Sequence, residues 1–509
     1  MFTLTLPRSN AGANVVTLAA QGRRRPMASS GARRGQRESG TLVAMKRIAG
    51  LVASAFVLGA CAAGFEAEPS IRRAADRAAA SALNAGNVEG VVVVIAQGGE
   101  IVHERGYGRA NIETDEAMSP SAMLDYFSIG KSVTAAMLLR TMERGALSLD
   151  APVRSYLPEA DLEGAEVTTR QLLSHTSGLW EAESDENRLP EHFRDSPPEG
   201  AILLWANQGV RLAAPQSTWM YSNGGFLFAG EIAERVNGRT IEQLIAEEMA
   251  APLGLENFAG CAELAERRAP AYFREAGEVH TIVEIDPEWF GGAGTVCGTA
   301  GDLMRWWLAL RAGRVVGAGS IEEMFRSSRL ERNGAATDFG YGLGVRLGVF
   351  RGRRKIGHTG SGAGGTSVLA EYPEADLVIL VITNTAGEDV RDARAIEIEI
   401  ANAVLGVDAR DADPPVSEAL LRASPGLYRS PTGLLCVAVR DGALWRAFGD
   451  APPERLRHRG DGRFVGEGDE DEAGVEYFLG VAEGRAQWFA YDAYGFPDDL
   501  AVRIGDRCA

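Results

Sequence analysis

The chain has 509 residues, of which 45% are hydrophobic and 24% are charged, and its formal net charge is −17. This composition is typical of a soluble globular protein, and the length allows two or three domains. The negative charge argues against nucleic acid and anionic membrane surfaces as electrostatic partners, so we expect neither to be a ligand.

The N-terminal segment has the pattern of an export signal. Residues 45–47 read Met-Lys-Arg, and an apolar run over 48–58 leads to Gly-Ala-Cys at 59–61. This pattern resembles a bacterial lipoprotein signal with the lipid on Cys61; the alternative is ordinary cleavage near 60–63 without lipid. Residues 1–44 would precede the true start, and we expect them to be disordered or untranslated. The protein is then predicted to be periplasmic or anchored to a bacterial membrane by lipid alone.

The first folded elements are a helix and a β-hairpin. An alanine-rich amphipathic pattern predicts a helix over 69–86. Residues 90–96 and 101–103 are apolar runs on either side of Gly98-Gly99, which predicts a hairpin. The first run is unbroken, so we expect this strand to be buried on both faces.

Ser128 and Lys131 stand at the start of a predicted helix that ends at Gly145. They are three residues apart, so their side chains can touch across one helical turn. A lysine that burial holds neutral can take the proton of a serine hydroxyl and make it nucleophilic. The chain has only three lysines, Lys46, Lys131 and Lys355, among 52 basic residues. A lysine retained at 131 therefore suggests chemistry that arginine cannot perform, although a surface lysine on an amphipathic helix is the alternative.

The middle of the chain reads as mostly helical. Thr168 or Thr169 is expected to cap a short helix that ends at Gly178, and His175 within it is interpreted as a buried hydrogen-bonding residue rather than a base. Residues 181–200 are acidic and polar, which predicts a surface loop. Tyr221-Ser222-Asn223 then precedes helices predicted over 226–236 and 241–250.

A glycine-rich stretch over 291–301 lacks the ending of a phosphate-binding loop and is interpreted as a tight turn before a helix over 302–312. Residues 339–345 are predicted to form a strand, and His358-Thr359-Gly360 to start another. A hairpin over 368–383 and a helix over 390–405 follow. The order of helix, strands, helical insertion, strands and helix predicts an α+β fold.

The C-terminal part differs in pattern. Residues 406–416 read as a polar linker, and 417–509 as a small antiparallel β domain with a barrel as one possible form. The acidic run over 466–474 is interpreted as a solvated loop rather than a cation site.

Four cysteines follow Cys61, and they allow three pairings. The domain boundary favours Cys261–Cys297 and Cys436–Cys508, and four buried free thiols are the alternative. None of them has metal-ligand spacing with the six histidines, and we expect no metal or other cofactor.

Three separated stretches supply the parts that acyl transfer needs. Ser128 and Lys131 would be nucleophile and base, and Tyr221 a phenol that shuttles a proton if nearby cations favour its ionised form. Asn223 could bind a substrate carbonyl. Gly360 would let the backbone approach a substrate closely. The backbone N–H groups of Ser128 and Ser361 could form an oxyanion hole.

These motifs resemble those of the serine hydrolases related to class C β-lactamases, D-alanyl-D-alanine carboxypeptidases and D-aminopeptidases. The resemblance covers about 90–405 and rests on Ser-Ile-Gly-Lys at 128–131, Tyr-Ser-Asn at 221–223 and His-Thr-Gly at 358–360. The stretch Leu-Leu-Ser-His-Thr-Ser-Gly-Leu at 172–179 is also similar, and is structural in that family.

The resemblance implies an antiparallel sheet flanked by helices, with an all-helical subdomain, over 66–405. The site would lie between sheet and subdomain, with His358, Thr359 and Gly360 on the substrate. The region 417–509 is similar to the lipocalin-like β domains of some members.

One departure concerns the third motif, where β-lactamases and carboxypeptidases usually have lysine. A neutral His358 would hold a substrate carboxylate poorly, and Lys355 lies about 10 Å away along an extended strand. The predicted function is cleavage of an amide or ester in a small molecule or short peptide. The alternatives are a β-lactamase proper and, from another class, a non-catalytic envelope binding protein on the same scaffold.

Overall fold

The computed structural model describes residues 69–85, 87–180, 195–282, 285–387, 390–406, 414–460, 462–467, 474–506 and 508. The predicted export signal with Cys61 lies outside these residues, as do most of the loop over 181–200, the linker over 406–416 and the acidic run over 466–474. No helix of the described residues is both long and apolar enough to cross a membrane.

A seven-stranded antiparallel sheet forms the centre of the larger domain. Its strands, in spatial order, are Arg346–Phe350, Arg353–Gly362, Gly365–Tyr372, Leu377–Thr383, Gly90–Gln97, Glu100–Asn111 and Glu116–Ala117. The first strand of the described residues, Gly90–Gln97, therefore lies inside the sheet beside Leu377–Thr383, a strand from near the end of the domain. Chain segments on both sides of the helical insertion complete one sheet.

The strand Gly90–Gln97 is buried on both faces, as its apolar sequence predicted. Its odd-numbered valines join the core beneath the helices Pro69–Asn84 and Ala393–Leu405, and its even-numbered valines join the core of the helix Gly130–Glu143. The sheet is thus flanked by helices on both faces. The predicted α+β class and the β-lactamase-like arrangement are confirmed.

The helical subdomain and its surroundings are built from short elements. The α-helices are Thr169–Leu173, Ala201–Ala206, Asn223–Asn237, Ile241–Leu244, Gly291–Gly294, Ala300–Arg311 and Ala318–Met324, and a π-helical turn covers Ile245–Ala250. Single 3-10 turns cover Phe127–Ile129, Val153–Ser155, Ala251–Leu253, Cys261–Arg267, Pro287–Phe290 and Pro373–Ala375. The minor strands are Leu124–Asp125, Leu179–Trp180, Val210–Arg211, Phe258–Gly260, Tyr272–Glu275, Glu278–Thr281, Val296–Gly298, Ser328–Arg332, Ala335–Phe339 and Thr385–Gly387.

The C-terminal region is a closed eight-stranded antiparallel barrel preceded by the helix Glu418–Ala423. Its strands are Gly426–Ser430, Gly433–Arg440, Ala443–Phe448, Glu454–Gly460, Arg463–Gly466, Gly474–Ala482, Arg485–Ala493 and Phe496–Gly505. Barrel closure pairs the first strand with the last. The predicted small β domain is confirmed in its barrel form.

Both favoured disulfides are present, so the alternative of free thiols is wrong. Cys261 pairs with Cys297 and Cys436 with Cys508. The first bond lies behind the strand Leu124–Asp125, to which Cys297 is paired. It therefore fixes the segment that leads into Ser128.

Several predicted element boundaries are wrong. The helix capped by Thr168 ends at Leu173, five residues before Gly178, because Ser174 leaves the helical conformation and His175 adopts a positive φ of 57°. The stretch over 291–301 is a helical turn followed by the strand Val296–Gly298. Residues 340–345 are not a strand; they link Ala335–Phe339 to Arg346–Phe350, and the third motif lies inside a strand rather than at its start.

Candidate active site

The turn that carries Ser128 is set by its neighbours. Phe127 has a positive φ of 50°, a conformation uncommon outside glycine, and its N–H donates to Asp125 Oδ1 at 2.5 Å. The turn runs directly into the helix Gly130–Glu143, so Ser128 lies half-buried at the helix entrance. A Cβ at Gly360 would lie 2.7 Å from the Tyr126 carbonyl oxygen, so only glycine allows the third motif this close.

Lys131 is fully buried and is surrounded by oxygen atoms. Its Nζ lies 3.0 Å from Ser128 Oγ, 2.6 Å from Asn223 Oδ1 and 2.7 Å from the Ala293 carbonyl oxygen. Carbonyl oxygens only accept hydrogen bonds, so each of the latter two takes an N–H of Lys131. An ammonium donates its third N–H to Ser128 Oγ, whereas a neutral amine would direct its lone pair there.

Tyr221 and Asn223 lie on either side of a helix cap. The Ser222 side chain accepts the N–H of Gly225 at 3.1 Å and starts the helix Asn223–Asn237. The Tyr221 ring centroid lies 5.0 Å from Lys131 Nζ. The structure therefore brings the residues of the first two motifs together, although Tyr221 is 93 positions (221 − 128) beyond Ser128.

His175 holds the segment that carries Tyr221 by accepting hydrogen bonds from the residues on either side of Tyr221. The N–H of Met220 donates to the His175 carbonyl oxygen at 2.9 Å, and the N–H of Ser222 donates to its Nδ1 at 3.1 Å. The His175 and Tyr221 ring centroids are 4.4 Å apart. His175 is completely buried, which confirms its interpretation as a buried hydrogen-bonding residue.

His358 is buried and connected to His175 through Tyr341. The Tyr341 hydroxyl lies 3.1 Å from His175 Nε2 and 2.8 Å from His358 Nε2, and His358 Nδ1 lies 2.6 Å from the Thr359 carbonyl oxygen. Since Nδ1 of His175 accepts, its Nε2–H donates to Tyr341, which donates to His358, whose Nδ1–H donates to Thr359. One consistent direction runs through the whole chain of bonds, with both rings neutral.

The electrostatics agree with neutral rings. Burial holds the pKa of His175 well below its usual value. Burial, followed by the charge of Arg346, does the same for the pKa of His358. Both His358 nitrogens already have protein partners, so its assignment to substrate binding stays a prediction. Thr359 is half-buried beside it.

Two further residues that the sequence analysis named are Ser361, which lies beside the third motif, and Lys355, which lies away from the cluster. Ser361 follows Gly360 on the strand Arg353–Gly362 and is exposed; its role in an oxyanion hole, with the N–H of Ser128, stays a prediction. Lys355 is on the opposite side of the sheet, where Nζ lies 2.6 Å from Glu397 Oε2. It cannot take the place of a lysine in the third motif.

Two groups of the cluster were not predicted. The Ala293 carbonyl belongs to the glycine-rich stretch that was interpreted only as a turn; a Cβ at Gly292 would lie 2.4 Å from the Phe226 carbonyl oxygen, and this close packing brings Ala293 to Lys131. Arg346 was not predicted because nothing in the sequence distinguishes it from the many other arginines. Its Cζ lies 5.5 Å from the Tyr221 ring centroid, and the residue is 6% exposed.

Known proteins resemble the chain over this region. A family model described as Beta-lactamase matches residues 75–403. Penicillin-binding protein 4* of Bacillus subtilis (strain 168) is 25% identical over 325 residues, covering 60% of this chain and 70% of that protein. D-aminopeptidase of Brucella canis is 26% identical over 377 residues, covering 71% and 68%. The octameric penicillin-binding protein homologue from Pyrococcus abyssi shares the fold, with a TM-score of 0.57, 22% identity and coverage of 85% and 99%.

Proposed function

Since the chain belongs to the beta-lactamase family, we propose that it cleaves an amide or ester bond through a covalent acyl-enzyme on Ser128. The family match confirms the resemblance that the three motifs predicted, and the protein is a serine hydrolase. One observation carries the proposal. Lys131 Nζ lies 3.0 Å from Ser128 Oγ in a completely buried site, close enough to take the Ser128 proton when the amine is neutral.

The proposed reaction has two halves. Ser128 Oγ attacks the substrate carbonyl carbon as its proton passes to the Lys131–Tyr221 pair, and the backbone N–H groups of Ser128 and Ser361 bind the oxyanion. The carbon–nitrogen or carbon–oxygen bond then breaks, and Tyr221 returns the proton to the leaving group. Water next attacks the acyl carbon as its proton passes to the same pair. The bond between the acyl carbon and Ser128 Oγ then breaks, and the pair returns the proton to Oγ as the acid leaves.

Asn223 and the third motif are proposed to position the substrate. With Oδ1 bound to Lys131, the Nδ2 end of the Asn223 amide is the end that can donate to a substrate carbonyl. Thr359 and Gly360 lie on the strand that approaches the Ser128 turn. His358 would fix this strand through its two hydrogen bonds.

The neutral His358 supports a small substrate without a carboxylate. Burial holds the pKa of His358 well below its usual value, so this residue adds no positive charge at the start of the third motif. Amides and esters of neutral or cationic substrates therefore fit better than β-lactams, which carry a carboxylate. A pocket of about 440 Å³ lies between the segment around Tyr221 and the barrel, which contributes Arg446, Asp498 and Asp499 to its lining.

A parallel screen tests the function. We expect the wild-type protein to hydrolyse D-amino-acid amides or short-chain p-nitrophenyl esters and to act slowly on nitrocefin. Ser128→Ala should lower the rate by on the order of 10⁴-fold. A variant that kept most of its turnover would contradict the assignment of the nucleophile. A folded wild-type protein with no turnover and no acylation would instead support the non-catalytic binding protein.

We further propose that the protein is exported and carries a lipid on Cys61. The two disulfides support an oxidising compartment. Expression with a radiolabelled fatty acid should label the wild-type chain and not Cys61→Ser. Export without labelling would favour ordinary signal cleavage.

A further inference from the structure

The proposed reaction needs Lys131 and Tyr221 to give up protons near neutral pH. A fixed positive charge close to them would favour this, because it opposes the ammonium form and favours the phenolate form. His358 does not supply that charge, since burial holds the pKa of its ring well below the usual value. Another residue must therefore supply the fixed positive charge.

Arg346 has the position and the chemistry for this. It begins the strand Arg346–Phe350 and is paired with Gly357, next to His358. Its Cζ lies 5.5 Å from the Tyr221 ring centroid and 6.0 Å from the Trp219 ring centroid. Arginine keeps its proton at any ordinary pH, so this charge is permanent.

The surroundings of Arg346 are nearly closed to water. The residue is 6% exposed, and its Nε has no hydrogen-bond partner among the described residues. A charge in such a place is screened weakly and acts strongly on its neighbours. The low pKa of His358 reflects this, because the charge of Arg346 is its largest cause after burial.

The barrel holds the guanidinium in place. Asp498 Oδ1 lies 3.3 Å from Arg346 Nη1. Asp498 is on the strand Phe496–Gly505, just after a turn, and Phe496 at the start of that strand is 1% exposed in the core of the larger domain. A Cβ at Gly348 would lie 1.9 Å from the Gly495 carbonyl oxygen, so this turn sits directly on the strand of Arg346. The barrel is therefore in contact with the residue that faces Tyr221.

We propose that Arg346 is the fixed cation that favours the deprotonated Lys131–Tyr221 pair, and that Asp498 of the barrel positions it and partly offsets its charge. The inference rests on the proposed function. The sign of the expected shift is the same for either member of the pair, because a positive charge favours the deprotonated form of both an amine and a phenol. Arg346 moves the apparent midpoint to lower pH, and Asp498 moves it to higher pH.

Other charged and titratable groups also surround Tyr221. The larger domain presents Lys131, His175, Tyr341 and His358, and the barrel presents Arg446, Tyr491, Asp498 and Asp499. The histidines are neutral through burial, and Arg446 is bound by both Glu454 and Glu476. Burial raises the pKa of Asp499 above its usual value.

The rate at which a fluorophosphonate labels Ser128 in the full chain, measured from pH 5 to 10, tests the proposal. Arg346→Gln should raise the midpoint of the rate profile by about one pH unit, and Arg346→Lys should restore most of the shift. Asp498→Asn should lower the midpoint by about half a unit. Arg354→Gln is the matched control, since Arg354 is on the adjacent strand but exposed and paired with Glu374; its midpoint should equal that of the wild type.

Opposite shifts of the pH midpoint in Arg346→Gln and Asp498→Asn would not arise if these residues only stabilised the fold. Slower labelling at every pH with unmoved midpoints would overturn the proposal, as would equal midpoints for Arg346→Gln and Arg354→Gln. If Arg346→Gln fails to fold, Asp498→Asn decides, and an unchanged or raised midpoint contradicts the proposal. A wild-type protein that never labels would overturn the proposed function itself and this inference with it.

Discussion

The Tyr341 hydroxyl lies 2.8 Å from Nε2 of His358. The same hydroxyl lies 3.1 Å from Nε2 of His175, whose other nitrogen accepts the N–H of Ser222. One buried phenol therefore connects the strand of the third motif to the segment that carries Tyr221. The third motif and the segment of Tyr221 are far apart in sequence, and the two hydrogen bonds of Tyr341 fix the distance between them.

Tyr341→Phe removes both hydrogen bonds, so the buried Nε2 atoms of His175 and His358 lose this partner. We expect the free energy of unfolding to fall by about 1–3 kcal/mol in urea titrations. The rate of Ser128 labelling should fall by about ten- to a hundredfold, because the catalytic groups lose their relative placement.

Tyr428→Phe is the matched control for Tyr341→Phe. Tyr428 is equally buried in the barrel, where its hydroxyl donates to the Ser424 carbonyl oxygen at 2.6 Å. Its removal should lower stability by a similar amount and leave labelling unchanged. Equal labelling rates in the two variants would show that Tyr341 does not position the site.

The ion pair of Lys355 and Glu397 is completely buried, and Lys355 also donates to the Tyr494 carbonyl oxygen of the barrel at 2.8 Å. Lys355→Met leaves Glu397 charged and uncompensated, which should lower the free energy of unfolding by about 3–5 kcal/mol. Adding Glu397→Gln removes the buried charge and keeps an acceptor for Tyr372, so the double variant should be more stable than Lys355→Met. A double variant that is less stable than the single one would contradict this explanation.

Burial, together with the nearby carboxylates of Glu231, Glu242 and Glu288, raises the pKa of Glu234 to about 7 against the lowering effect of a hydrogen bond from the N–H of Ile241. The folded protein then holds this proton up to about pH 7, whereas the unfolded chain loses it near the ordinary value of 4.5. Stability from this group falls as the pH rises between the two values.

Glu234→Gln, which mimics the protonated carboxyl, should therefore raise the melting temperature at pH 8 and leave it unchanged at pH 4. Glu322→Gln is the control, because Glu322 is exposed on a helix and forms a surface ion pair with Arg326. A melting curve for Glu234→Gln that follows the wild type at both pH values would show that the raised pKa does not affect stability.

The sequence patterns predicted the sheet, the helical insertion and the barrel because each is encoded locally. The unbroken run over 90–96 indicated burial on both faces, and short strands with charged turns indicated the C-terminal domain. Boundaries were wrong where tertiary contacts override local preference. Residues 340–345 have a strand-like composition, but Gly344 adopts a φ of 65° against the backbone of Lys131, and the strand cannot continue.

The scarcity of lysine was informative but not specific. Both Lys131 and Lys355 are completely buried, yet one faces Ser128 and the other pairs with Glu397. Composition identifies a buried lysine without distinguishing these two environments. Ala293 and Arg346 were not predicted, since a backbone carbonyl has no sequence signature and an arginine has none among 49 (52 − 3).

The central claim is that an uncharged Lys131 activates Ser128, and one measurement tests it most directly. Intact-protein mass spectrometry can follow fluorophosphonate labelling of the wild type, Lys131→Arg and Lys355→Arg at pH 8. Arginine cannot lose its proton. Lys131→Arg should therefore label at least about 10³-fold more slowly, while Lys355→Arg, which places the same larger side chain in another buried site, should label like the wild type. Labelling of Lys131→Arg at Ser128 within tenfold of the wild-type rate would contradict the account.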